Sequence, residues 1–404
     1  MEAAATNLKS TRRANRCLIA LFMVILWLPT LDTLFHLDTS TLPKENRTPA
    51  EFPGLQPDIG SLKEYIAGLE AYFNDHFGWR NRLIHWQRRL EIGLFPRSGG
   101  NIGTLPGVIV GRDGWLFFDF DRLYDPHRSS EPFSARDLQA WQTLLEHRRD
   151  RLRLFGIKYV FVVAPEKQSI YQDKLPDWMD GRRFDAKLEQ FLGYMRAHST
   201  VDVVDLRPAL RSARRIAPTY FKTDGHWNFF GGFVAYREIL NTLSPQMPGW
   251  KPLPMTDFEL ERKLTPSGSL ADWAELDVNE TCAVFMTPEP GLPHLEMGSG
   301  PLEYAEFSTG TTKNPEAKGS AVIFGDSFGN YLAPLLGYHF GKVTCLWQAP
   351  LSLKWIEQEK PDLVISEMAE RQFNVCDPNG FDIPGDYLMR QYLHESPTNQ
   401  PPTR

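Results

Sequence analysis

The sequence has 404 residues, of which 42% are hydrophobic and 23% are charged, and its formal net charge is -6. This length and apolar content are sufficient for a globular core and allow more than one domain. A negative net charge gives no indication of the basic surface that a general nucleic-acid-binding protein needs. The sequence therefore predicts no nucleic-acid-binding surface.

A basic segment precedes an apolar segment at the N-terminus. The residues Lys9, Arg12, Arg13 and Arg16 lie before the apolar residues 17–36, and the next basic residue is Lys44. This asymmetry predicts a cytoplasmic tail (1–16), a transmembrane anchor (17–36) and a chain that continues beyond the membrane. A cleaved signal peptide is the alternative, because the uninterrupted apolar run is short. No small-x-small cleavage site follows it, so we favour an uncleaved anchor.

Residues 37–60 are rich in Pro, Ser and Thr, and they predict a linker. From Ser61 onwards, apolar residues at helical spacing predict a long helical region that is broken near Gly78. We assign 61–390 to a single domain and 391–404 to a polar tail.

Apolar strand-like runs alternate with helical patterns through the rest of the chain. The predicted strands are 158–164, 201–206, 319–325, 342–347 and 361–366, and the predicted helices are 184–198, 230–243, 328–338 and 352–359. Strands that are apolar on both faces and separated by helices indicate an α/β fold with a parallel sheet covered on both sides. Residues 244–319 are rich in Gly and Pro, and they predict an irregular insertion of short strands and loops near the site.

Two short motifs carry residue types suited to nucleophilic catalysis. GDSFG (325–329) places Ser327 where a strand ends and a helix begins, and TDGHW (223–227) places Asp224 two residues before His226. A carboxylate can orient one imidazole nitrogen while the other nitrogen activates a serine hydroxyl. The sequence therefore makes Ser327, His226 and Asp224 candidates for a catalytic triad.

Other interpretations of these motifs remain open. Gly-Asp-Ser at a strand end is also typical of an ordinary helix-capping turn. GDSFG matches the nucleophile elbow of α/β-hydrolases, but that fold would need a downstream histidine, and only His339 and His394 follow the serine. Asp224 and His226 belong to no recognisable metal motif, and no nucleotide-binding motif occurs, so we expect neither a metal nor another cofactor. Cys345 and Cys376 could pair in an oxidising compartment.

Five segments occur in an order that resembles a known family. They are NDHFGWR (74–80), GRDGWLFF (111–118), VAPEKQSIYQDKLP (163–176), TDGHWNFFGG (223–232) and VIFGDSFGNYL (322–332). Together they resemble the alginate O-acetyltransferases of the AlgJ and AlgX type, and the chain looks closest to the shorter, membrane-anchored AlgJ type. The resemblance implies an SGNH-hydrolase-like (flavodoxin-like) fold in circularly permuted order, with the Asp-x-His pair before the serine.

The resemblance also implies roles for particular residues. Ser327 would be the nucleophile, His226 the general base and acid, and Asp224 the orienting carboxylate. An acetyl group would pass through acetyl-Ser327 to an exopolysaccharide in the periplasm of a bacterium, with a polytopic inner-membrane acyltransferase as the donor partner. The further residues that the resemblance places near the substrate are Lys167, Tyr171, Trp227, Asn228 and Arg371, with Glu367 and Arg371 forming either an ion pair or a substrate contact.

The sequence departs from the family pattern in one loop. SGSLADW (267–273) has Ser269 where an acidic residue is expected. Two other functions fit the same resemblance: a carbohydrate acetyl esterase that passes the acetyl group to water, and a non-catalytic, glycan-binding scaffold of a polysaccharide synthase complex. The acceptor need not be alginate, since relatives of this group modify other polysaccharides.

Overall fold

A computed structural model describes residues 2–35, 50–54, 61–80, 82–83, 86, 104–105, 107–119, 132–274, 276, 278–300, 309–348 and 351–374. The chain divides into two compact units. The N-terminal unit comprises Met1–Gly103 and Asp272–Asp277, and the sheet unit comprises Thr104–Ala271 and Val278–Arg404. Most of the predicted linker, the tail 391–404, Cys376 and His394 lie outside the described residues.

The described part of the N-terminal unit contains two long helices. Helix α1 (Glu2–Phe35) continues through Pro29, and its segment Asn15–Thr33 is long and apolar enough to cross a membrane. This helix also includes most of the residues predicted as a cytoplasmic tail. Helix α2 (Ser61–His76) begins at the predicted residue and ends just before Gly78, which confirms the predicted break.

The sheet unit is built on a seven-stranded sheet, and two shorter sheets accompany it. The strands are β1 (Thr104–Leu105), β2 (Gly107–Val110), β3 (Leu116–Asp119), β4 (Lys158–Ala164), β5 (Val203–Asp205), β6 (Phe258–Thr265), β7 (Glu280–Pro288), β8 (Glu296–Gly300), β9 (Thr309–Lys313), β10 (Ser320–Gly325), β11 (Lys342–Trp347) and β12 (Leu363–Ala369). The large sheet has the order β5-β4-β12-β10-β11-β9-β8. β1 to β3 pair with one another, as do β6 and β7.

The large sheet is mixed rather than fully parallel. Five neighbouring strands run parallel, as predicted: β5, β4, β12, β10 and β11. In contrast, β9 pairs antiparallel with β11, and β8 pairs antiparallel with β9. Both antiparallel strands come from the stretch predicted to be an irregular insertion. Its short polar strands, rich in Gly and Thr, gave no apolar pattern because they lie at a sheet edge.

Helices cover both faces of the sheet. They are α3 (Ala135–Leu154), α4 (Lys167–Ile170), α5 (Ala186–His198), α6 (Arg207–Ala213), α7 (Phe229–Leu243), α8 (Ser269–Trp273), α9 (Ala333–Leu336) and α10 (Leu353–Glu359). Alternate residues of β4 enter two different hydrophobic cores: Val160 and Val162 join α6 and α7, whereas Phe161 and Val163 join α3 and α5. This alternation explains why the strands are apolar on both faces.

The helix predicted at 328–338 takes a different form. A 3-10 turn, Ser327–Tyr331, leads into the short helix α9. Gly329 passes so close to its neighbours that a Cβ there would lie 3.1 Å from Cys345 Sγ. The tighter turn thus packs the segment after β10 directly against β11.

Candidate active site

The turn that carries Ser327 is fixed by the carboxylate of the preceding residue. Asp326 Oδ1 accepts a hydrogen bond from Phe328 N–H, and its Oδ2 accepts one from Ala369 N–H, both at 3.0 Å. The Asp326 N–H in turn donates to Glu367 Oε2 at 2.9 Å. Asp326 is therefore the helix-capping residue that the sequence suggested, and it also ties the turn to the end of β12.

Glycine is required just before this turn. A Cβ at Gly325 would lie 2.5 Å from Glu367 Oε2 and 2.9 Å from Glu367 Cβ. Burial, followed by the charge of the nearby Asp326, raises the pKa of Glu367 well above its ordinary range. The neutral form is favoured at this buried position, where the carboxyl serves to hold the Ser327 turn.

His226 lies between Ser327 and Asp224. Its Nε2 is 2.5 Å from Ser327 Oγ, and its Nδ1 is 2.6 Å from Asp224 Oδ1. The same carboxylate oxygen also accepts the His226 backbone N–H at 2.9 Å. The three residues predicted from two motifs a hundred positions apart are thus brought into one hydrogen-bonded chain.

The environment of Asp224 determines how the imidazole is oriented. Burial favours a raised pKa for this carboxyl, but hydrogen bonds from His226 and Ser269 outweigh it, so the pKa lies well below its ordinary value of 3.8. An ionised carboxylate only accepts hydrogen bonds, so the neutral imidazole must carry its proton on Nδ1. His226 Nε2 is then left as an acceptor for the Ser327 hydroxyl.

Ser269 is a site residue whose role the sequence left undefined. Its Oγ and its backbone N–H donate to Asp224 Oδ2 at 2.7 and 2.9 Å. The position where an acidic residue was expected therefore supplies two donors to the orienting carboxylate. A second carboxylate there would repel Asp224, whereas a hydroxyl stabilises its charge.

Glu280 supports the same loop and was missed by sequence reasoning. Its carboxylate accepts hydrogen bonds from Lys222 N–H at 3.0 Å and from Thr223 N–H and Oγ1, both at 2.7 Å. The residue begins β7 in the stretch predicted to be irregular, so no motif marked it. It anchors the chain immediately before Asp224.

Lys167 lies beneath the loop that carries Asp224 and His226. Its ammonium donates to the backbone oxygens of Phe221, Lys222 and Asp224 at 3.0, 3.3 and 2.6 Å, and the residue is only 1% exposed. Burial lowers the pKa of Lys167 to about 7, although Asp224 and Glu280 oppose this effect. The three acceptors match the three N–H groups of an ammonium.

Three other residues predicted to contact substrate also have structural positions. Tyr171, Trp227 and Asn228 are at most 3% exposed. Tyr171 accepts the Thr219 N–H at 2.9 Å, and Asn228 caps α7 by accepting the Gly231 N–H at 3.0 Å. These side chains and that of Lys167 are thus buried in the structure. A substrate contact by any of them stays a prediction.

Arg371 is the one member of that predicted set whose side chain remains partly accessible, with 19% exposed. It pairs with Glu166 Oε1 at 2.6 Å, and its guanidinium lies over the ring of Phe328, the residue after Ser327, at 5.8 Å. Glu367, the partner considered from sequence, instead accepts the Asp326 N–H. A substrate contact by Arg371 stays a prediction.

His339 has a separate role from the one the elbow interpretation would require. Its Nε2 lies 2.6 Å from Tyr236 Oη, and burial lowers its pKa to about 4. The histidine at Ser327 is the upstream one, so the structure favours the permuted order over the elbow. Among the described residues, no group of three or more His, Cys, Asp or Glu side chains could hold a metal ion.

Aromatic side chains flank the imidazole on its open side. The Tyr331 ring lies 6.2 Å from the His226 ring, and Phe229 contacts Tyr331 at 5.4 Å and stacks on Phe285 at 4.8 Å. Phe229 is 41% exposed. This aromatic wall suits a ligand with an apolar face and polar edges, such as a sugar ring.

Trp347 is a second exposed aromatic residue at the same edge of the sheet. It pairs with Gly325 in the register of β10 and β11, and it is 52% exposed. Side chains alternate along a strand, so Trp347 projects to the same face as Cys345, which contacts the Ser327 turn. Sequence reasoning missed this residue, because β11 was predicted as a buried strand throughout.

Comparisons with known proteins agree with this geometry. A family model described as the SGNH hydrolase-like domain of acetyltransferase AlgX matches residues 108–287. Probable alginate O-acetylase AlgJ of Pseudomonas aeruginosa is 30% identical over 163 residues, and that of Pseudomonas syringae pv. tomato is 26% identical over 185 residues. These matches cover 40% and 46% of this chain but 38% and 44% of the relatives, less than half of their length.

A solved structure shares the fold. The structure of Bacillus cereus PatB1 with a sulfonyl adduct matches 68% of this chain and 97% of that chain, with a TM-score of 0.51 and 17% sequence identity. The fold and the site define an SGNH hydrolase-like α/β protein. Over the matched residues, the family model and the two AlgJ sequences show that the chain is similar to the AlgJ/AlgX type.

Replacing Ser269 tests its hold on Asp224. In Ser269→Ala the carboxylate loses one of its donors, and hydrogen bonds to charged groups contribute about 1.5–3 kcal/mol. The wild-type contribution of Asp224 is present above its ordinary pKa of 3.8 and is lost as the pH falls. We therefore expect the variant to unfold at a higher pH in an acid titration followed by circular dichroism. Ser212→Ala, at an exposed position of α6, is the control and should titrate like the wild type.

Replacing Lys167 tests the support beneath the loop. Lys167→Met keeps the apolar stem but removes the donor to the Phe221 and Asp224 carbonyls, so we expect a loss of roughly 1–3 kcal/mol in the free energy of unfolding. Urea denaturation measures it. The control is Lys174→Met, which breaks an ion pair with the 68%-exposed Asp113. Such surface pairs contribute little, and equal destabilisation in both variants would contradict the assigned role.

Proposed function

We propose that this protein is an O-acetyltransferase that moves an acetyl group through an acetyl-Ser327 intermediate to a hydroxyl of an exopolysaccharide. The observation that carries the proposal is the hydrogen-bonded chain Ser327–His226–Asp224, with separations of 2.5 and 2.6 Å, in a protein that is similar to the AlgJ/AlgX type. The similar proteins from Pseudomonas, each named probable alginate O-acetylase AlgJ, support the same chemistry. Alginate or a similar glycan is the proposed acceptor.

In the first half of the reaction, Ser327 attacks the acetyl donor. His226 Nε2 takes the hydroxyl proton as Oγ bonds to the acetyl carbon. The bond from that carbon to the donor then breaks, and the leaving group receives the proton from His226. Asp224 stabilises the transient imidazolium and keeps Nδ1 protonated throughout.

In the second half, a sugar hydroxyl replaces the donor. His226 Nε2 takes the hydroxyl proton while the sugar oxygen attacks the acetyl carbon. The ester bond to Ser327 Oγ breaks, and the serine recovers a proton from His226. The products are an acetylated sugar and the enzyme in its starting state.

Ser327 N–H is the oxyanion donor that we propose in this turn. The neighbouring amides are already committed, since Asp326 N–H donates to Glu367 and Phe328 N–H donates to Asp326. The negative oxygen of each tetrahedral intermediate would lie beside the remaining amide of the turn. This donor is fixed before the reaction begins because the Asp326 carboxylate holds the turn on both sides.

Two surfaces could hold the acceptor. The wall of Phe229, Phe285 and Tyr331 lies beside His226, and Trp347 lies beside Gly325. An acceptor sugar held between them would displace water from the acyl-enzyme, which is what transfer requires over hydrolysis. The two aromatic surfaces therefore favour a transferase over an esterase.

The proposed compartment is the periplasm. The basic residues in the first half of α1 favour a cytoplasmic N-terminus, and the candidate span Asn15–Thr33 would anchor the chain in the inner membrane. The acetyl donor would then be supplied across the membrane by a polytopic acyltransferase. The acceptor polysaccharide would meet the enzyme after its own export.

Product analysis tests the proposed activity. The full chain in detergent is incubated with 4-nitrophenyl acetate and an oligosaccharide such as oligomannuronate, and the acetylated sugar is quantified by mass spectrometry. We expect Ser327→Ala and His226→Ala each to lower its formation by about 10³-fold or more, as in other triads.

The same assay separates the rival functions. His339→Ala is the matched control because His339 contacts Tyr236, and it should retain transfer. Released acetate without acetylated sugar would identify an esterase. Full activity in Ser327→Ala would exclude the triad.

Replacing Trp347 tests the acceptor surface. We expect Trp347→Ala to raise KM for the oligosaccharide roughly 2- to 10-fold, a range that corresponds to the loss of one aromatic contact. The rate of 4-nitrophenol release without acceptor should not change. The control is Phe155→Ala. Phe155 is an exposed aromatic residue (61%) that lies before the first residue of β4, whereas Trp347 is the last residue of β11. An unchanged KM in Trp347→Ala would place the acceptor elsewhere.

A further inference from the structure

The outer end of α1 makes specific contacts within the N-terminal unit. Gly78 N–H donates to Thr33 Oγ1 at 3.0 Å, and Trp79 N–H donates to Asp32 Oδ2 at 2.9 Å. Asp32 is only 7% exposed. The turn that follows α2 is therefore fastened to the last turn of the candidate membrane span.

This contact is close as well as hydrogen-bonded. A Cβ at Gly78 would lie 2.2 Å from the backbone oxygen of Pro29 and 2.6 Å from Asp32 Cβ. Such distances are far shorter than van der Waals contact, so the approach requires glycine. If α1 spans the bilayer, Asp32 and Thr33 lie at its outer surface, and the C-terminal end of α2 must lie there too.

One face of α2 is covered by residues 50–54. Ala50 N–H donates to Asp75 Oδ2 at 2.8 Å, and the Phe52 ring contacts the Tyr72 ring edge-on at 5.2 Å. Gly68 lies on the same side, where a Cβ would be 2.8 Å from Pro53 Cβ. This side of the helix is packed within the unit.

Another side of α2 presents two apolar side chains outwards, with the exposed Glu70 between them along the helix. Ile66 is 56% exposed and Phe73 is 67% exposed. They are seven residues apart, which places them two turns apart on one side of the helix. Trp86, which contacts the Trp79 ring at 5.9 Å, is also 53% exposed.

We propose that α2 lies on the outer surface of the membrane, with Ile66 and Phe73 inserted among the lipid chains. The hydrogen bonds from Gly78 and Trp79 to Thr33 and Asp32, here called the tether, hold α2 at the level where α1 leaves the bilayer. Lipid is therefore the surface that the exposed side of α2 would meet. Amphipathic helices bind at this depth by burying one apolar face. Trp79 and Trp86 suit the headgroup region, where indole rings are enriched. The proposal rests on α1 as a membrane span and goes beyond the proposed enzymatic function.

Site-specific photo-crosslinking tests which surface α2 meets. The full-length chain is reconstituted in phosphatidylethanolamine and phosphatidylglycerol nanodiscs with benzoylphenylalanine at position 66 or 73. Positions 64 and 71, which are exposed on the other side of α2, are the controls. We expect phospholipid adducts by mass spectrometry at 66 and 73, at least fivefold above those at 64 and 71. Equal lipid adducts at all four positions, or their absence at 66 and 73, would overturn the proposal.

The same probes in membranes from cells expressing the full chain distinguish a protein partner. Lipid adducts are again expected at 66 and 73. Crosslinks from these positions predominantly to another polypeptide would overturn the proposal in favour of a protein-docking face.

Loosening the tether should reduce the insertion. In Thr33→Val the hydroxyl that accepts the Gly78 N–H is lost while the side-chain shape is kept, and we expect fewer lipid adducts at position 73, by twofold or more. Gly78→Ala should have a larger effect because its Cβ cannot be accommodated. Adduct yields equal to the wild type in both variants would contradict the tether. Neither variant touches Ser327, so failure here and failure of the acetyltransferase proposal are distinguishable.

Discussion

The hydrogen bond between His226 and Ser327 joins two parts of the chain that are 101 residues apart, and the proposed chemistry depends on it. The serine end is fixed by the Asp326 carboxylate, which binds both its own turn and β12. The histidine end is fixed by Asp224. A serine hydroxyl is inert at neutral pH without a positioned base, so errors at either end would abolish the activity.

Two buried residues stabilise the loop that carries Asp224 and His226 by hydrogen bonds to its backbone. Lys167 donates hydrogen bonds to carbonyls of the loop, and Glu280 accepts hydrogen bonds from its amides. Burying these charges is costly, but each one is hydrogen-bonded to backbone groups that would otherwise be unpaired. The site is thus preorganised by buried residues, whereas aromatic residues on the surface remain available for a substrate.

Sequence reasoning predicted the parallel strands and the three residues that the structure joins by hydrogen bonds, Ser327, His226 and Asp224, because both depend on local patterns. Apolar runs such as 158–164 and the paired motifs at 224–226 and 325–329 are readable without tertiary information. It did not predict β8 and β9 as sheet strands, since their pairing is decided by the neighbouring β11. Nor could it predict that Lys167 and Trp227 are buried or that Ser269 binds Asp224. The burial of a side chain and the partner of a polar group both depend on residues that are distant in the sequence. The spacing of residues along the chain does not reveal them.

The central claim is that Ser327 carries the acetyl group. It is tested most directly by rapid acid quenching of the enzyme with 4-nitrophenyl acetate, followed by mass spectrometry of the peptide that contains 325–329. The account predicts an acetyl group on Ser327 within the first turnover, and its loss when an oligosaccharide acceptor is added before the quench. An acetyl group on any other residue, with Ser327 unmodified during turnover, would contradict the account.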